Sequence, residues 1–417
     1  MANLTIDGDR LWAALMETAR FGGTEKGGIN RLTLTEEDRQ VRDWFKDACI
    51  AAGCTVSVDE AGNMFARRPG RDNSLPPICI GSHLDTQPTG GKFDGVLGVL
   101  AGLEVLRALQ ASGYETLAPI EVINWTNEEG SRFAPAMLAS GGFAGVFEKQ
   151  YVMDQRDREG IRFGDALDAI GYRGDKPLGG HPMSAMFELH IEQGPILEAE
   201  GKTIGVVTGV QGIRWYEATI TGVESHAGTT PMARRKDALL GAAKVVEIVN
   251  AVGLAHPPLA VATVGLMEVR PNSRNVIPGE VFLTIEMRHP DQGVLDTMHA
   301  ELCAQIEAAI SALGLTLQLD CILNAPPVHF DETLVSTIRA AAETLGYGHR
   351  DIVSGAGHDA AYVARVAPTT MVFVPCKDGI SHNEAEDTSP ADCAAGAAVL
   401  LNAVLAFDAK LEAQAKG

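Results

Sequence analysis

Ile78-Cys79-Ile80-Gly81-Ser82-His83-Leu84-Asp85-Thr86 and, further along, Ile120-Glu121-Val122-Ile123-Asn124-Trp125-Thr126-Asn127-Glu128-Glu129-Gly130 decide how this chain folds. Each begins as a short, mainly apolar run and ends abruptly in polar residues. Such runs read as strands buried on both faces of a sheet. Between them, residues 95–109 carry the composition of a helix. Strand, helix and strand in that order predict an α/β sheet covered on both sides. The polar residues then fall just beyond strand C-termini, where open α/β sheets bind ligands.

The same reading extends outward. A helix starts at the N-cap Thr35, with Glu36, Glu37 and Asp38 in its first turn and Val41, Trp44, Phe45, Ala48, Cys49 and Ala52 as its apolar stripe. Gly53 stops it, and short strands follow at 55–58 and 64–66. After Gly212 the pattern changes. Strand-like 214–223, helical 234–252, strands at 259–269 and 280–288, a helix at 294–313 and a strand at 315–323 give the order βαββαβ. That order can fold by itself as an open-faced sandwich. Beyond Pro326 the first pattern returns, with a helix at 332–345, a strand at 370–375 and a long helix at 390–415. The expectation is a discontinuous α/β domain over 1–212 and 327–417, with an α+β domain of 213–326 inserted.

Bulk properties narrow the function. A chain of 417 residues exceeds what one core usually supports. Lys and Arg total 34 against 54 Asp and Glu, a net charge of −20, so a nucleic-acid partner is not expected. The N-terminus carries no basic leader before an apolar core, and the apolar stretch at 394–407 is short and interrupted by Asn402. Neither a signal peptide nor a membrane span is expected, and the expected location is cytoplasmic. The seven cysteines are scattered, without a CxxC pair, and most of them read as buried thiols in a reducing compartment.

Four clusters carry chemistry. His83 and Asp85, two apart in an extended segment, share a face. Asp85 is thus a candidate to orient His83 through its second ring nitrogen. Asp94 lies in Gly90-Gly91-Lys92-Phe93-Asp94-Gly95, at a glycine-flanked turn before a helix. Glu128 and Glu129 end a strand with their side chains directed apart, so that one can bind metal while the other faces substrate and water. His190, in Glu188-Leu189-His190-Ile191-Glu192-Gln193, and His382, in Ile380-Ser381-His382-Asn383, each stand beside a strand terminus. Taken singly, each admits a structural reading: a core histidine, a helix cap, a surface acid pair. Together, three imidazoles and several carboxylates suit Zn, Mn, Co or Ni. Two such ions need a bridging carboxylate between them and a further carboxylate to move protons. Lys92, Arg132 and the remaining histidines read as structural. Neither GxxxxGK[ST] nor GxGxxG occurs, which argues against a nucleotide site.

GSHLDTQPTGGKFDG, WTNEEGSRF, ELHIEQGPILE, SGAGHDA and ISHNEAE, in this order along the chain, resemble the hydantoinase/carbamoylase family of amidohydrolases, relatives of the two-metal carboxypeptidases and aminoacylases. The resemblance covers nearly the whole chain. It implies an exopeptidase-like catalytic domain, a mixed sheet flanked by helices, and an inserted lid that also forms a homodimer. It implies that Asp94 bridges two divalent ions, one held also by His83 and His190, the other by Glu129 and His382. Glu128 would be the general base and acid, and Asp85 would orient His83. In the insert, His226 would stabilise the developing oxyanion, in some relatives reaching across the dimer, and Asn275 and Arg288 would grip a substrate carboxylate. On their own, His226 reads as a turn cap and Arg288 as a strand-end surface residue. Gln193, Gly357 and His358 are further candidates for substrate contact.

The activity so implied is hydrolysis of a linear ureido acid. An N-carbamoyl-L-amino acid leads, followed by N-carbamoyl-β-alanine and allantoate. A dipeptidase or aminoacylase fits the WTNEEGSRF and HIEQGP motifs less well. A catalytically dead binding relative should lack a ligand or the base, and this chain has Glu128 and all five ligand positions.

Overall fold

The computed structural model describes residues 4–416 of the chain. In chain order the strands are β1 (Thr55–Val58), β2 (Met64–Arg68), β3 (Ile78–His83), β4 (Ile120–Trp125), β5 (Ala185–Ile191), β6 (Ile204–Val210), β7 (Gly212–Thr221), β8 (Ser225–His226), β9 (Val261–Arg270), β10 (Val276–Ile277), β11 (Glu280–His289), β12 (Thr316–Ala325), β13 (Val328–His329), β14 (His349–Ser354) and β15 (Thr369–Val374). They divide between two compact units, Met1–Gly209 with His329–Gly417, and Val210–Val328.

The larger sheet runs β1-β2-β4-β3-β5-β15-β6-β13, with β14 also on β6. β4, β3, β5 and β15 are parallel to their neighbours, while β2 joins β4, and β6 joins β15, antiparallel. The sheet is therefore mixed. Its four parallel strands are buried at every position, as strands covered on both faces must be. Alternate residues divide between the faces. Cys79, Ile123 and Met186 pack with Phe143 and Val363. Ile80 and Val122 lie instead under the helix Val96–Ser112, at 3.0 and 2.8 Å from where a Cβ on Gly102 would stand.

That helix is almost wholly buried and ends at a left-handed Gly113 (φ 63°), a usual stop. Thr35 caps the helix Glu36–Ala51 by accepting from the Asp38 amide. The terminal helix Pro390–Lys416 packs on the sheet and on Val96–Ser112. It and Ala238–Ala255 are long and apolar enough, by composition, to cross a membrane, but the first has most of its apolar window buried in its own unit. The short helices Leu138–Phe143, Lys149–Asp154, Phe163–Ala169 and Asp359–Val363 run too briefly for a 3.6-residue period to show in sequence.

The second unit is an antiparallel sheet ordered β12-β7-β11-β9. The helices Ala238–Ala255 and Gln292–Ala312 pack on one face of it. β11 alternates between buried and half-buried positions along its whole length, the signature of a sheet covered on one side. The first helix begins at 238 rather than 234 because Asp237 accepts the Leu239 and Leu240 amides. The second begins at 292 because Asp291 caps it through the Val294 amide. The β7–β11 ladder continues past its regular register, with His226 opposite Val276 and Ser225 opposite Ile277.

Gly98 tests this packing. A Cβ there would overlap the Leu189 carbonyl and stand 2.7 Å from Ser82 Cβ. Alanine in a helix normally gains about 1 kcal/mol over glycine. Here overpacking against β3 and β5, about 1–3 kcal/mol, reverses the sign. Gly98→Ala is expected to lower the midpoint of thermal unfolding, and a raised midpoint would show the helix free to move off the sheet.

Candidate metal centre

His83 is the last residue of β3, His190 lies near the end of β5, and Glu128 and Glu129 follow β4. His382 stands in the segment after β15, and Asp94 precedes the helix Val96–Ser112. Parallel strands present their C-termini along one edge, so residues distant in sequence converge there. The structure brings all six together, around Asp94. Oδ1 of Asp94 lies 3.1 Å from His190 Nε2 and 3.6 Å from His83 Nε2. Its Oδ2 lies 3.5 Å from His382 Nε2, which is 3.4 Å from Glu129 Oε2. One carboxylate thus turns each oxygen to a different pair of donors. Glu128 Oε2 is 3.5 Å from His83 Nε2. Gly95 leaves no room for a side chain, since a Cβ would overlap the His83 ring.

The tautomers follow from the outer contacts. His83 Nδ1 is 2.9 Å from the Asp85 carbonyl oxygen, and His190 Nδ1 is 2.9 Å from that of Ile191. Each ring then donates through Nδ1 and aims the Nε2 lone pair inward. Asp85 therefore orients His83 through its main chain. Its carboxylate, 4.0 Å from His83 Nδ1, accepts the Glu128 and Glu129 amides at 3.2 and 3.3 Å.

Electrostatically the site gathers buried carboxylates around two buried imidazoles. His83, Asp94 and His190 are almost fully buried. Burial pushes the carboxyls of Glu128 and Glu129 well above the usual range, with Asp94 adding to the effect at both. Burial also opposes ionisation of Asp94, but His190 and His83 hold it well below its ordinary value. His83 is raised well above its own, because Glu128, Asp94 and Asp85 outweigh the burial that opposes its charge. Carboxylates and inward-facing imidazole lone pairs, with water excluded, fit divalent cations of borderline hardness. The ligating atoms of His83, Asp94 and His190 lie within 4.8 Å of one another, as do those of Asp94, Glu129 and His382.

The remaining candidates divide. Gln193 donates to Asp94 Oδ2 at 2.8 Å, and its own Oε1 is buried without a partner. His358 is only 2% exposed. It packs edge-on against the His190 ring at 4.6 Å and meets Ser354 Oγ at 2.9 Å, with Gly357 in the loop before it. His226 and Asn275 are neighbours on the β8–β10 ladder, where the Asn275 carbonyl accepts the Ala227 amide at 2.9 Å. His226 Nδ1 accepts the Gly228 amide at 2.9 Å, which leaves Nε2 as its donor. Arg288 lies at the far end of β11, opposite Ile213, and its Nε donates to Glu286 at 2.6 Å. Asn275 thus immediately precedes β10, whereas Arg288 lies near the C-terminal end of β11.

Sequence reasoning missed a supporting layer. Gln87 donates to both oxygens of Glu129, from its amide at 3.1 Å and from Nε2 at 2.7 Å, and Ser131 steadies it at 2.6 Å. Glu188 takes Ser82 Oγ at 2.8 Å and the Ala360 amide at 3.1 Å. Gln87 and Glu188 sit inside motifs already singled out, but their partners are set by the fold. Asn127, Gln193 and His382 have φ of 61°, 56° and 54°. Left-handed backbone at non-glycine residues costs about 1 kcal/mol or more and gathers at functional sites.

A buried cluster of this kind at the C-terminal edge of a mixed sheet, with a βαββαβ insert, defines a metal-dependent hydrolase. The chain belongs to peptidase family M20/M25/M40, whose signature matches residues 79–406, and within it to the hydantoinase/carbamoylase amidohydrolases, which act on carbon–nitrogen bonds. It is 53% identical over 403 residues to the N-carbamoyl-L-amino-acid amidohydrolase of Rhizobium meliloti, covering 97% of each chain. It is 35% identical to the allantoate amidohydrolase of Bacillus subtilis, over 89% of this chain and 90% of that one. Among solved structures, a hydantoinase/carbamoylase family amidase from Burkholderia multivorans superposes with a TM-score of 0.93 at 59% identity, covering 97% of this chain and 98% of that one.

The raised affinities of His83 and His190 for protons set a sign for metal uptake. Protons on these rings must leave before an ion binds, so metal affinity falls as pH falls towards and below neutrality. Titration calorimetry of metal-free protein in two buffers of different ionisation enthalpy should record proton release. Its absence would mean that the rings are already neutral.

Proposed function

We propose that this protein hydrolyses N-carbamoyl-L-amino acids to the amino acid, ammonia and carbon dioxide, using two divalent ions per chain. The observation that carries the reading is Asp94, whose two oxygens face separate donor pairs, His83 with His190 and Glu129 with His382, while Glu128 stands beside them. The name borne by the 53% identical relative supports the substrate class.

When bound, zinc, or manganese, cobalt or nickel, supplies Lewis acidity that stabilises negative charge on the carbamoyl oxygen and acidifies water. Glu128 takes a proton from the attacking water and passes it to the departing amino nitrogen. Its burial raises its proton affinity, which suits a group that must hold that proton in transit. The carbamate released breaks down to ammonia and carbon dioxide. Asp85, through the Glu128 and Glu129 amides, keeps the base beside the ligands.

We further propose a homodimer formed through the insert, which acts as lid. Asn275 and Arg288 hold the substrate carboxylate, while His226 serves the reacting carbonyl, reaching across the dimer. An outward apolar surface supports the dimer. β9 is an edge strand with Val261, Leu266 and Met267 exposed, and beside it the helix Ala238–Ala255 exposes Leu239, Leu240, Val246 and Leu254. Exposed apolar edges of that kind are usually covered by a partner. All seven cysteines are free, which suits a cytoplasmic enzyme.

Glu128→Gln is expected to keep both ions and lose turnover by at least about 100-fold; near wild-type activity would remove Glu128 from the proton path. Ammonia release should be measured from N-carbamoyl-L-methionine, its D-enantiomer, N-carbamoyl-β-alanine and allantoate, with amine release from N-acetyl-L-methionine. Preference for the first, abolished by chelation, is the expected result. Preference for allantoate would favour the reading suggested by the Bacillus relative, and activity on the acetyl compound alone an aminoacylase.

A further inference from the structure

One buried carboxylate beside the ligands has no part in the chemistry above. Glu386 is 2% exposed and lies in the loop that carries His382. Its Oε1 accepts the Phe93 and Asp94 amides, each at 3.1 Å. Its Oε2 lies 2.9 Å from Ser381 Oγ, which is itself 2.9 Å from Asp94 Oδ2. Gly91 is the counterpart of this contact, since a Cβ there would overlap the Glu386 carboxylate.

The surroundings show that the arrangement is built in. Two residues earlier, Glu384 accepts from Thr24 Oγ1 at 2.5 Å and fills the space that a Cβ on Gly28 would need. Ile29 and Gly90 exchange amide–carbonyl bonds of 2.9 and 3.0 Å. Three segments far apart in sequence, 24–30, 90–94 and 381–386, are thus tied at one place. With both oxygens engaged by these groups, Glu386 serves the ligands without being one.

We propose that Glu386 is a positioning residue, a clasp that joins the loop of Asp94 to the loop of His382 and so sets the gap in which the second ion is held. The inference rests on the two-ion reading of the preceding subsection. Asp94 Oδ1 faces His83 and His190, which are anchored on strands β3 and β5, and needs no clasp. Asp94 Oδ2 faces His382, which is half-exposed, has left-handed backbone and belongs to no strand. The tie through Glu386 and Ser381, joined by Gln193 Nε2, which reaches both Asp94 Oδ2 and Ser381 Oγ, fixes that second side relative to the first. Removal of the clasp should therefore divide the two ions.

The test uses full-length, metal-free protein titrated with Mn2+. Calorimetry and elemental analysis count the ions, and hydrogen–deuterium exchange follows the 90–95 segment before any metal is added. For Glu386→Ala we expect one ion bound within about threefold of wild type and the other weakened at least tenfold, the pattern also expected of His382→Ala. The Phe93 and Asp94 amides should lose protection. Glu386→Gln keeps an amide-accepting carbonyl and should fall between the two. Ser381→Ala should weaken the same ion while leaving exchange at 93–94 unchanged, and together with Glu386→Gln it carries the test if the alanine variant does not fold. Both ions bound with wild-type affinity by Glu386→Ala, with unchanged protection at 93–94, would overturn the proposal. A wild-type protein that takes up one ion would refute the two-ion reading instead, and exchange at 93–94 would then decide the clasp alone.

Discussion

The candidate metal centre is arranged around one buried carboxylate, Asp94, held ionised between imidazoles. Burial alone would drive its proton affinity up; His190 and His83 reverse that. The cost of gathering charge in this way explains features that look unrelated in sequence. Gly91 and Gly95 are glycines because a carboxylate on one side and an imidazole on the other occupy the space of a Cβ. Asn127, Gln193 and His382 accept left-handed backbone because three loops must deliver side chains to one point. Unpaired buried carboxylates are among the most costly groups a fold can hold, and Glu128 and Glu129 are tolerated where cations complete the set.

Positioning is layered outward from the ligands. The His83 and His190 rings are oriented by main-chain carbonyls, which cannot titrate and scarcely move. Glu129 is held by Gln87, and the Glu128–Glu129 amides by Asp85. Polar side chains that look like candidate catalysts in sequence thus turn out to hold other side chains. The insert follows a different logic: a one-sided antiparallel sheet, long and stiff, carries His226 with Asn275 at one end and Arg288 at the other.

Much of this was legible in sequence, and the reasons are local. Strands β3 and β4 announce themselves because burial on both faces demands an unbroken apolar run. The helix start at Thr35 follows from a short polar side chain and the free amide it takes, whereas the caps Asp237 and Asp291 were not legible and the sequence reading begins those two helices at 234 and 294. β6 and β14 and the short helices were not legible, since a few residues carry no period. Glu386 was visible as part of ISHNEAE yet had no readable role, because its partners lie almost three hundred residues away, |i−j| being 293 and 292 for Phe93 and Asp94.

The chain by itself determined which residues could be ligands and that they stand at strand ends, because alternation and termination are properties of a few consecutive residues. Only the tertiary structure decided what each one touches. It gave Asp85 a second task, holding two amides with its carboxylate while its carbonyl faces His83, and packed His358 against His190. The physical reason is that hydrogen bonds and Coulomb interactions act over a few ångströms in space. Sequence specifies neighbours along the chain, whereas at this site nearly every decisive neighbour comes from a different strand or loop.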